Sequence, residues 1–506
     1  MSQNRIDQIF LAAAKDSGER PYILLRDGPA ATFANTFERA SQLAGVFAAA
    51  GIKPGDRAAS LLDNSREAIE FFVACAIAGA IGVVINGHST SHEISALMAD
   101  CQPVGLLTEK RFLERVTDVP AVANLRLRLI ARGSAQGWDN YDEAIAKAVP
   151  LPVDNSFSDE APALMIYSSG TTGKPKGILL SQRGLVLDAR AMIEAIRYEK
   201  GDISLTILPL FSSFGFAFDF LHNAIMRNSV VILDKFDEEN ALSCIERFRV
   251  TFMAGVPTMF ARLFAEDKIT GRDVSSLRLI DVGGGPVSVR LKRMLKQEHG
   301  IDVVESYGLT EISPVASVQR SRTDADSASC GLPLPGFEVK VVDSNGQALP
   351  PGEPGELLFR SETFMIGYWN QPEQTAKTIV DGWLHTGDVG LLDKNGEIQI
   401  LDRTKDLIVS NGFNVFPKEV ENAIMEFDGV QECAVIGVKD EIKGEIVHAY
   451  VIPKMGVRLD ADDVIAHCRE RLSRYKVPRE VHLIDRMPLT ASGKIKRHAL
   501  REGEWQ

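Results

Sequence analysis

The chain has 506 residues, 45% hydrophobic and 25% charged, an ordinary globular composition with length enough for two or more cores. Its 68 acidic and 56 basic residues give a formal net charge of -12, which supplies no electrostatic footprint for nucleic acid. The opening MSQNRIDQIF lacks the basic flank and apolar run of a secretory leader, and no uncharged apolar stretch reaches the roughly 20 residues of a membrane span, so a cytoplasmic protein is expected.

From Asp56 to Glu109, short apolar runs (AASLL, IGVVI, VGLLT) alternate with helical stretches that begin after Asn64 and Ser91. The run from Phe71 to Ile85, interrupted by Gly79 and Gly82, reads as a buried helix passing into a buried strand. Alternation of this kind implies parallel strands with crossover helices. It returns at 204–209, 229–233, 277–282 and 302–306, which suggests two similar α/β lobes. After Cys330 the sequence GLPLPGFEVKVVDSNGQALPPGEPGELLFR, rich in Pro and Gly with alternating apolar residues, predicts a β-rich subdomain with tight turns. Past Asp402 come a helix over 417–427, strands over 433–437 and 446–451, a helix near 462–472 and a strand over 481–485, a small α+β domain of about 100 residues. The six cysteines form no CxxC pair and are expected to be reduced, buried thiols. The histidines show no metal-ligand spacing; His88 and His92 stand four apart without an HExxH context and read as caps or surface residues.

The segment SSGTTGKPKG, from Ser168 to Gly177, follows the apolar strand ALMIY and precedes a second apolar strand, ILL. Its hydroxyls, glycines and lysines make a turn full of donors whose backbone can approach an anion closely. The Walker pattern is not met, because two residues separate Gly170 from Gly173 and Pro175 follows Lys174. A triphosphate-binding loop outside the P-loop class is the reading that remains.

YSSGTTGKPKG resembles the phosphate loop of the adenylate-forming superfamily, which includes acyl-CoA and aryl-CoA synthetases, luciferases and the adenylation domains of peptide synthetases. SYGLTE (306–311), HTGD (385–388), LDRTKDLIVSNGFNVFPKEVE (401–421) and PLTASGKIKR (488–497) match further motifs in the same order. The resemblance implies an α/β fold with a large N-terminal domain of two α/β lobes plus a β-rich subdomain (1–402), and a small mobile α+β C-terminal domain (403–506). It also implies ATP, Mg2+ and coenzyme A, with a carboxylic acid activated as acyl-AMP and then transferred to the thiol.

By the same resemblance, Ser168, Ser169, Gly170, Thr171, Thr172, Gly173, Lys174 and Lys176 hold the β- and γ-phosphates, with Thr171 counted among the catalytic residues. Glu311 is the Mg2+ ligand, a hard carboxylate suited to that ion. Thr310 meets the α-phosphate, and Tyr307 and Gly308 lie at the adenine with Gly284 and Gly285 on its other side. Asp388 accepts from the ribose hydroxyls, and Arg403 meets ribose and phosphate. Lys494 is the residue expected to stabilise the charge that develops in adenylation. Asp402 marks the hinge, and Gly412, Phe413, Asn414 and Lys443 are expected near coenzyme A.

The acid pocket is expected in LPLFSSFGFAFDFL, 208–221, with Ser212, Phe214, Gly215 and Phe216 near the substrate. Many CoA ligases have a histidine where this chain has Ser212, so the pose of the substrate carboxylate is not carried over. The phenylalanines suit an apolar aliphatic or aromatic acid, and Asp219 reads as structural or surface. A stand-alone enzyme loading a carrier protein is the alternative, a luciferase-like oxygenase has no residue arguing for it, and a non-enzymatic nucleotide-binding protein is disfavoured by the intact motifs.

Overall fold

The computed structural model describes residues 4–168, 176–196, 198–285, 287, 289–320, 329–403, 408–410, 413–440, 444–489 and 495–503. The chain divides into two compact units, one comprising Met1–Asp326, Leu334–Phe337 and Ser361–Val380, the other Ser327–Pro333, Glu338–Arg360 and Asp381–Gln506. The second unit joins the β-rich segment to the C-terminal α+β segment, across the 402/403 boundary suggested by the sequence; there Lys418 Nζ donates to the Ile400 carbonyl at 3.3 Å.

Two α/β lobes make up the first unit, as the alternating pattern implies. In one sheet the parallel strands Pro162–Ser168, Ile81–Val84, Arg57–Leu61, Gly105–Glu109 and Leu127–Ala131 lie in that order, and Lys176–Ser181 then Gly367–Tyr368 extend it antiparallel beyond Pro162–Ser168. In the other, Asp302–Tyr307, Leu279–Gly283, Phe252–Gly255, Ile203–Thr206, Ser229–Ile232 and Pro21–Leu25 run parallel in that order.

The helix Arg66–Ala78 begins where Ser65 Oγ accepts the Ala68 N–H at 3.1 Å and stops at Gly79, whose φ of +66° is the left-handed cap that glycine adopts without strain. Every residue from Ala68 to Ala78 is buried, which explains an apolar run with no helical period. Asn64, just before it, links the lobes: its amide donates to the carbonyls of Leu208 and Leu233 at 2.9 and 3.1 Å, and its Oδ1 accepts from the Leu210 N–H at 2.7 Å.

In the second unit the strands Glu338–Val342, Gly355–Arg360, Trp383–Leu392 and Ile398–Arg403 form an antiparallel sheet. Val430–Asp440 and Gly444–Pro453 pair antiparallel, and Glu480–Leu483 adds parallel to the latter. The helices Pro417–Met425 and Ala461–Arg471 cover one face through Val420, Ile424, Val464 and Cys468. All six cysteines are buried and free. Among the described residues no helix is long and apolar enough to cross a membrane.

Glu70 is fully buried on the helix Arg66–Ala78. Its Oε1 accepts from Arg66 Nε at 2.6 Å and Arg39 Nε at 2.7 Å, and its Oε2 from the Tyr141 hydroxyl at 2.5 Å. A carboxylate removed from water is tolerated because cations and donors surround it, and removing it strands them. Glu70→Ala is expected to cost about 3–5 kcal/mol of stability, read as a lower urea midpoint with unchanged slope; a loss below about 1 kcal/mol would mean that solvent replaces the carboxylate without difficulty.

Candidate active site

In open parallel sheets, ligands collect outside the carboxyl ends of the strands. The sequence-predicted residues of the first unit lie at such ends. Ser168 and Lys176 are register partners of adjacent antiparallel strands, so 169–175 is the connection between them. Ser169, Gly170, Thr171, Thr172, Gly173 and Lys174 lie outside the described residues.

Lys176 Nζ stands over the Tyr368 ring, 5.3 Å from its centroid, and the Tyr368 hydroxyl donates to Glu311 Oε1 at 2.9 Å. Backbone pairing fixes this arrangement: Tyr368 registers with Ile178, and the Met365 N–H donates to the Glu311 carbonyl at 2.8 Å. Burial, and then the Glu311 charge, push the Tyr368 phenol above its ordinary pKa, so it remains a donor. Tyr368 was not singled out from the sequence. Its signal is the aromatic pair Tyr368–Trp369 directly after Gly367.

Tyr307 ends its strand half-buried. Gly283 registers with Ser306, which brings Gly284 and Gly285 just past the strand end next to that of Tyr307. Gly308 is required sterically, since a Cβ there would lie 1.9 Å from the Pro314 carbonyl oxygen. Thr310 Oγ1 meets Ser213 Oγ at 3.0 Å.

Ser212 caps the short turn Ser213–Gly215: its hydroxyl donates to the Pro209 carbonyl at 2.7 Å and accepts from the Gly215 N–H at 3.1 Å. The hydroxyl that meets Thr310 is that of the next residue, Ser213. A Cβ on Gly215 would lie 2.4 Å from the Pro209 carbonyl oxygen, so this turn too requires glycine. The phenylalanines divide between two faces. Phe214 lies against Gly283, where a Cβ would be 2.9 Å from its ring, and packs edge-on to Phe218 with centroids 4.8 Å apart. Phe216 packs instead into the core against Phe72 and Phe220, with centroids 4.9 Å from each.

Three titratable groups of this lobe are fully buried, and burial favours their neutral forms; one of them, His222, packs against Phe218 with centroids 4.5 Å apart. Asp219 is fully buried, which removes the surface reading, and neither carboxyl oxygen has a hydrogen-bond partner; burial drives its pKa far upward. His222, also fully buried, is pushed down to about 3 by burial. Asp281 accepts from Ser306 Oγ at 3.3 Å, and burial, against the lowering effect of that bond, pushes it up to about 8. Burial thus shifts all three groups toward their neutral forms.

In the second unit Asp388 is buried and registers with Arg403, and its N–H donates to Thr386 Oγ1 at 3.0 Å. His385 Nδ1 lies 3.0 Å from Glu356 Oε2, and the Gly387 N–H donates to Glu356 Oε1 at 3.1 Å, so one carboxylate supports the HTGD turn. Asp402 registers with Val389. Phe413 and Asn414 lie on the strand Phe413–Val415, while Gly412 and Lys443 are outside the described residues. Lys494 is outside them as well; on either side of the undescribed residues, Leu489 and Ile495 form an antiparallel bridge and the Lys496 N–H donates to the Pro488 carbonyl at 2.8 Å.

The AMP-binding enzyme family model matches residues 10–369, and the AMP-binding enzyme C-terminal domain matches residues 419–494. The chain belongs to the AMP-binding enzyme family. Within it, the chain is of the acyl-CoA and aryl-CoA synthetase type that the motifs resemble. It is 36% identical over 476 residues to a feruloyl-CoA synthase of Amycolatopsis sp, covering 94% of each chain. It is 35% identical over 480 residues to an indoleacetate–CoA ligase of Aromatoleum aromaticum, covering 94% of this chain and 93% of that one. The crystal structure of an anthranilate CoA ligase in complex with anthranoyl-AMP superposes with a TM-score of 0.92 at 28% identity, covering 99% of this chain and 97% of that one.

The raised pKa of Asp281 has a signed consequence for this AMP-binding enzyme. Between the unfolded value of 3.8 and about 8 the native state holds a proton that the unfolded chain has released, so the contribution to stability is complete below 3.8 and is lost as pH rises toward 8. Asp281→Asn removes that titration. Relative to the parent, the variant is expected to gain stability between pH 5 and pH 7, on the order of 2–3 kcal/mol. Urea denaturation of both proteins at the two pH values checks this, and a pH-independent difference would mean that Asp281 does not hold its proton.

Proposed function

We infer that this chain is an ATP-dependent, AMP-forming acid–CoA ligase acting on an uncharged aliphatic or aromatic monocarboxylate. The observation that carries the substrate class is the Phe214–Phe218 wall, backed by buried groups held neutral. Such a wall favours apolar carbon and offers no cation to a second carboxylate. The feruloyl, indoleacetate and anthranilate of the three relatives are aromatic acids, which supports the same reading.

In adenylation the acid's carboxylate oxygen attacks the α-phosphorus of ATP, an oxygen–phosphorus bond forms, and pyrophosphate leaves with its electron pair. Charge accumulates on the phosphates, so cations and aligned donors lower the barrier. Residues 168–176, with Thr171 among them, bind the β- and γ-phosphates in this reading. Thr310 binds the α-phosphate, and Lys494 stabilises the charge between the attacking carboxylate and the ribose-phosphate oxygens. Tyr307, Gly308, Gly284 and Gly285 receive the adenine, and Asp388 and Arg403 the ribose.

Mg2+ fits the donor set: Glu311 is a half-buried carboxylate with one oxygen bound by Tyr368, leaving hard oxygen for the ion. When bound, the ion neutralises phosphate charge. Tyr368 orients the carboxylate for that purpose, and Lys176 is held over the Tyr368 ring, at the end of the phosphate loop.

In the second step the thiol of coenzyme A attacks the acyl-adenylate carbonyl, a thioester forms, and AMP departs. Gly412, Phe413, Asn414 and Lys443 serve this step, with Asp402 as hinge between domains 1–402 and 403–506 and a cytoplasmic setting for both substrates.

A pyrophosphate-release screen over fatty, aryl, dicarboxylic and amino acids, with and without coenzyme A, tests the reading. Uncharged monocarboxylates are expected to be preferred, and thioester to appear only with coenzyme A; preference for a dicarboxylate or an amino acid would overturn the substrate class. Glu311→Gln is expected to slow pyrophosphate release more than tenfold, about 1.4 kcal/mol of transition-state stabilisation, with the fold intact by circular dichroism. Unchanged turnover at saturating Mg2+ would remove Glu311 from the metal site.

A further inference from the structure

The strands Gly444–Pro453 and Glu480–Leu483 pair parallel, with His448 opposite Glu480 and Tyr450 opposite His482. Alternate residues of a strand face the same side of a sheet, so these four side chains share one face. There His448 Nδ1 lies 3.2 Å from His482 Nε2, and Glu480 Oε2 lies 3.9 Å from the former and 3.5 Å from the latter. One nitrogen from each imidazole and one carboxylate oxygen thus lie within 4.8 Å of one another. The sequence reading found no metal constellation among the histidines. It missed this one because the two histidines are 34 residues apart and only the strand pairing brings them together.

The separations suit one ion. Two nitrogens bound tetrahedrally at about 2.0–2.1 Å from a metal stand about 3.3 Å apart, close to the distance between the imidazoles. Glu480 is exposed, so its carboxylate has room to move the few tenths of an ångström that remain. The histidines are held in place beforehand. His448 is 8% exposed. The His482 ring stacks on Tyr450 with centroids 4.8 Å apart, and the Tyr450 hydroxyl is anchored on the Leu500 carbonyl at 3.2 Å.

We propose that His448, Glu480 and His482 form a binding site for a divalent transition ion of the Zn2+ class, with a fourth position for water. In the metal-free protein the imidazole contact is an N–H···N hydrogen bond. On binding, both facing nitrogens present lone pairs and the displaced proton moves to the far nitrogen of its own ring, so two neutral imidazoles take the ion with no net proton release. Two nitrogen ligands and one carboxylate favour Zn2+, Co2+ or Ni2+ over Mg2+, whose preference is for oxygen. The ion ties the Glu480–Leu483 strand to its neighbour and stabilises the folded unit by mass action.

The test uses the full chain, stripped with a chelator and titrated with Co2+ as a visible probe in excess Mg2+. The parent is expected to take up one Co2+ with tetrahedral d–d absorption that Zn2+ abolishes. Glu480→Gln and His482→Gln are each expected to weaken that uptake at least tenfold with unchanged circular dichroism. Glu480 is exposed, so Glu480→Gln decides the matter if His482→Gln does not fold. Absence of such binding in the parent, or a folded variant that binds Co2+ as the parent does, overturns the three-ligand site.

Discussion

The hydrogen bond from Tyr368 to Glu311 joins pieces of chain 57 residues apart, and the proposed phosphate chemistry depends on it. Glu311 lies in a short turn that a packed core does not immobilise, since its side chain is half-buried. What holds it is the strand pairing of Gly367–Tyr368 with Lys176–Ser181, together with Ser313 Oγ donating to the Thr363 carbonyl at 2.6 Å and Thr363 Oγ1 donating to the Ile312 carbonyl at 2.9 Å. The strand that follows the proposed phosphate loop is therefore the strand that positions Glu311, the proposed metal carboxylate. A shift in its register would displace Lys176 and Glu311 together.

The second constraint is the burial of titratable groups in the lobe that carries Phe214 and Phe218. Asp219, His222 and Asp281 are fully buried, and burial shifts each toward its uncharged form. Gly215, Gly283 and Gly308 belong to the same design, since the backbone or an aromatic ring occupies the space where a side chain would begin.

Much of this was legible in the sequence. Parallel strands, the β-rich segment and the C-terminal α+β order follow from local periodicity and turn residues, and local signals survive folding. The roles proposed for Glu311, Thr310 and Asp388 rest on motif resemblance, which is legible because these residues lie within short contiguous segments. Tyr368 and Ser213 were not, because their significance comes from partners far away in the chain. The split of the phenylalanines was hidden for another reason: residues 216–222 form a π-helix, whose wider turn changes which residues share a face. The His448, Glu480 and His482 group was hidden by parallel pairing, which brings together strands separated by a whole crossover.

The central claim is that one chain performs two chemically distinct steps and that Lys494 serves only the first. Lys494→Ala, assayed separately for pyrophosphate release from acid and ATP and for thioester formation from supplied acyl-adenylate and coenzyme A, addresses it directly. The account predicts loss of pyrophosphate release with thioester formation preserved. Equal losses in both half-reactions, in a variant shown to be folded, would contradict it.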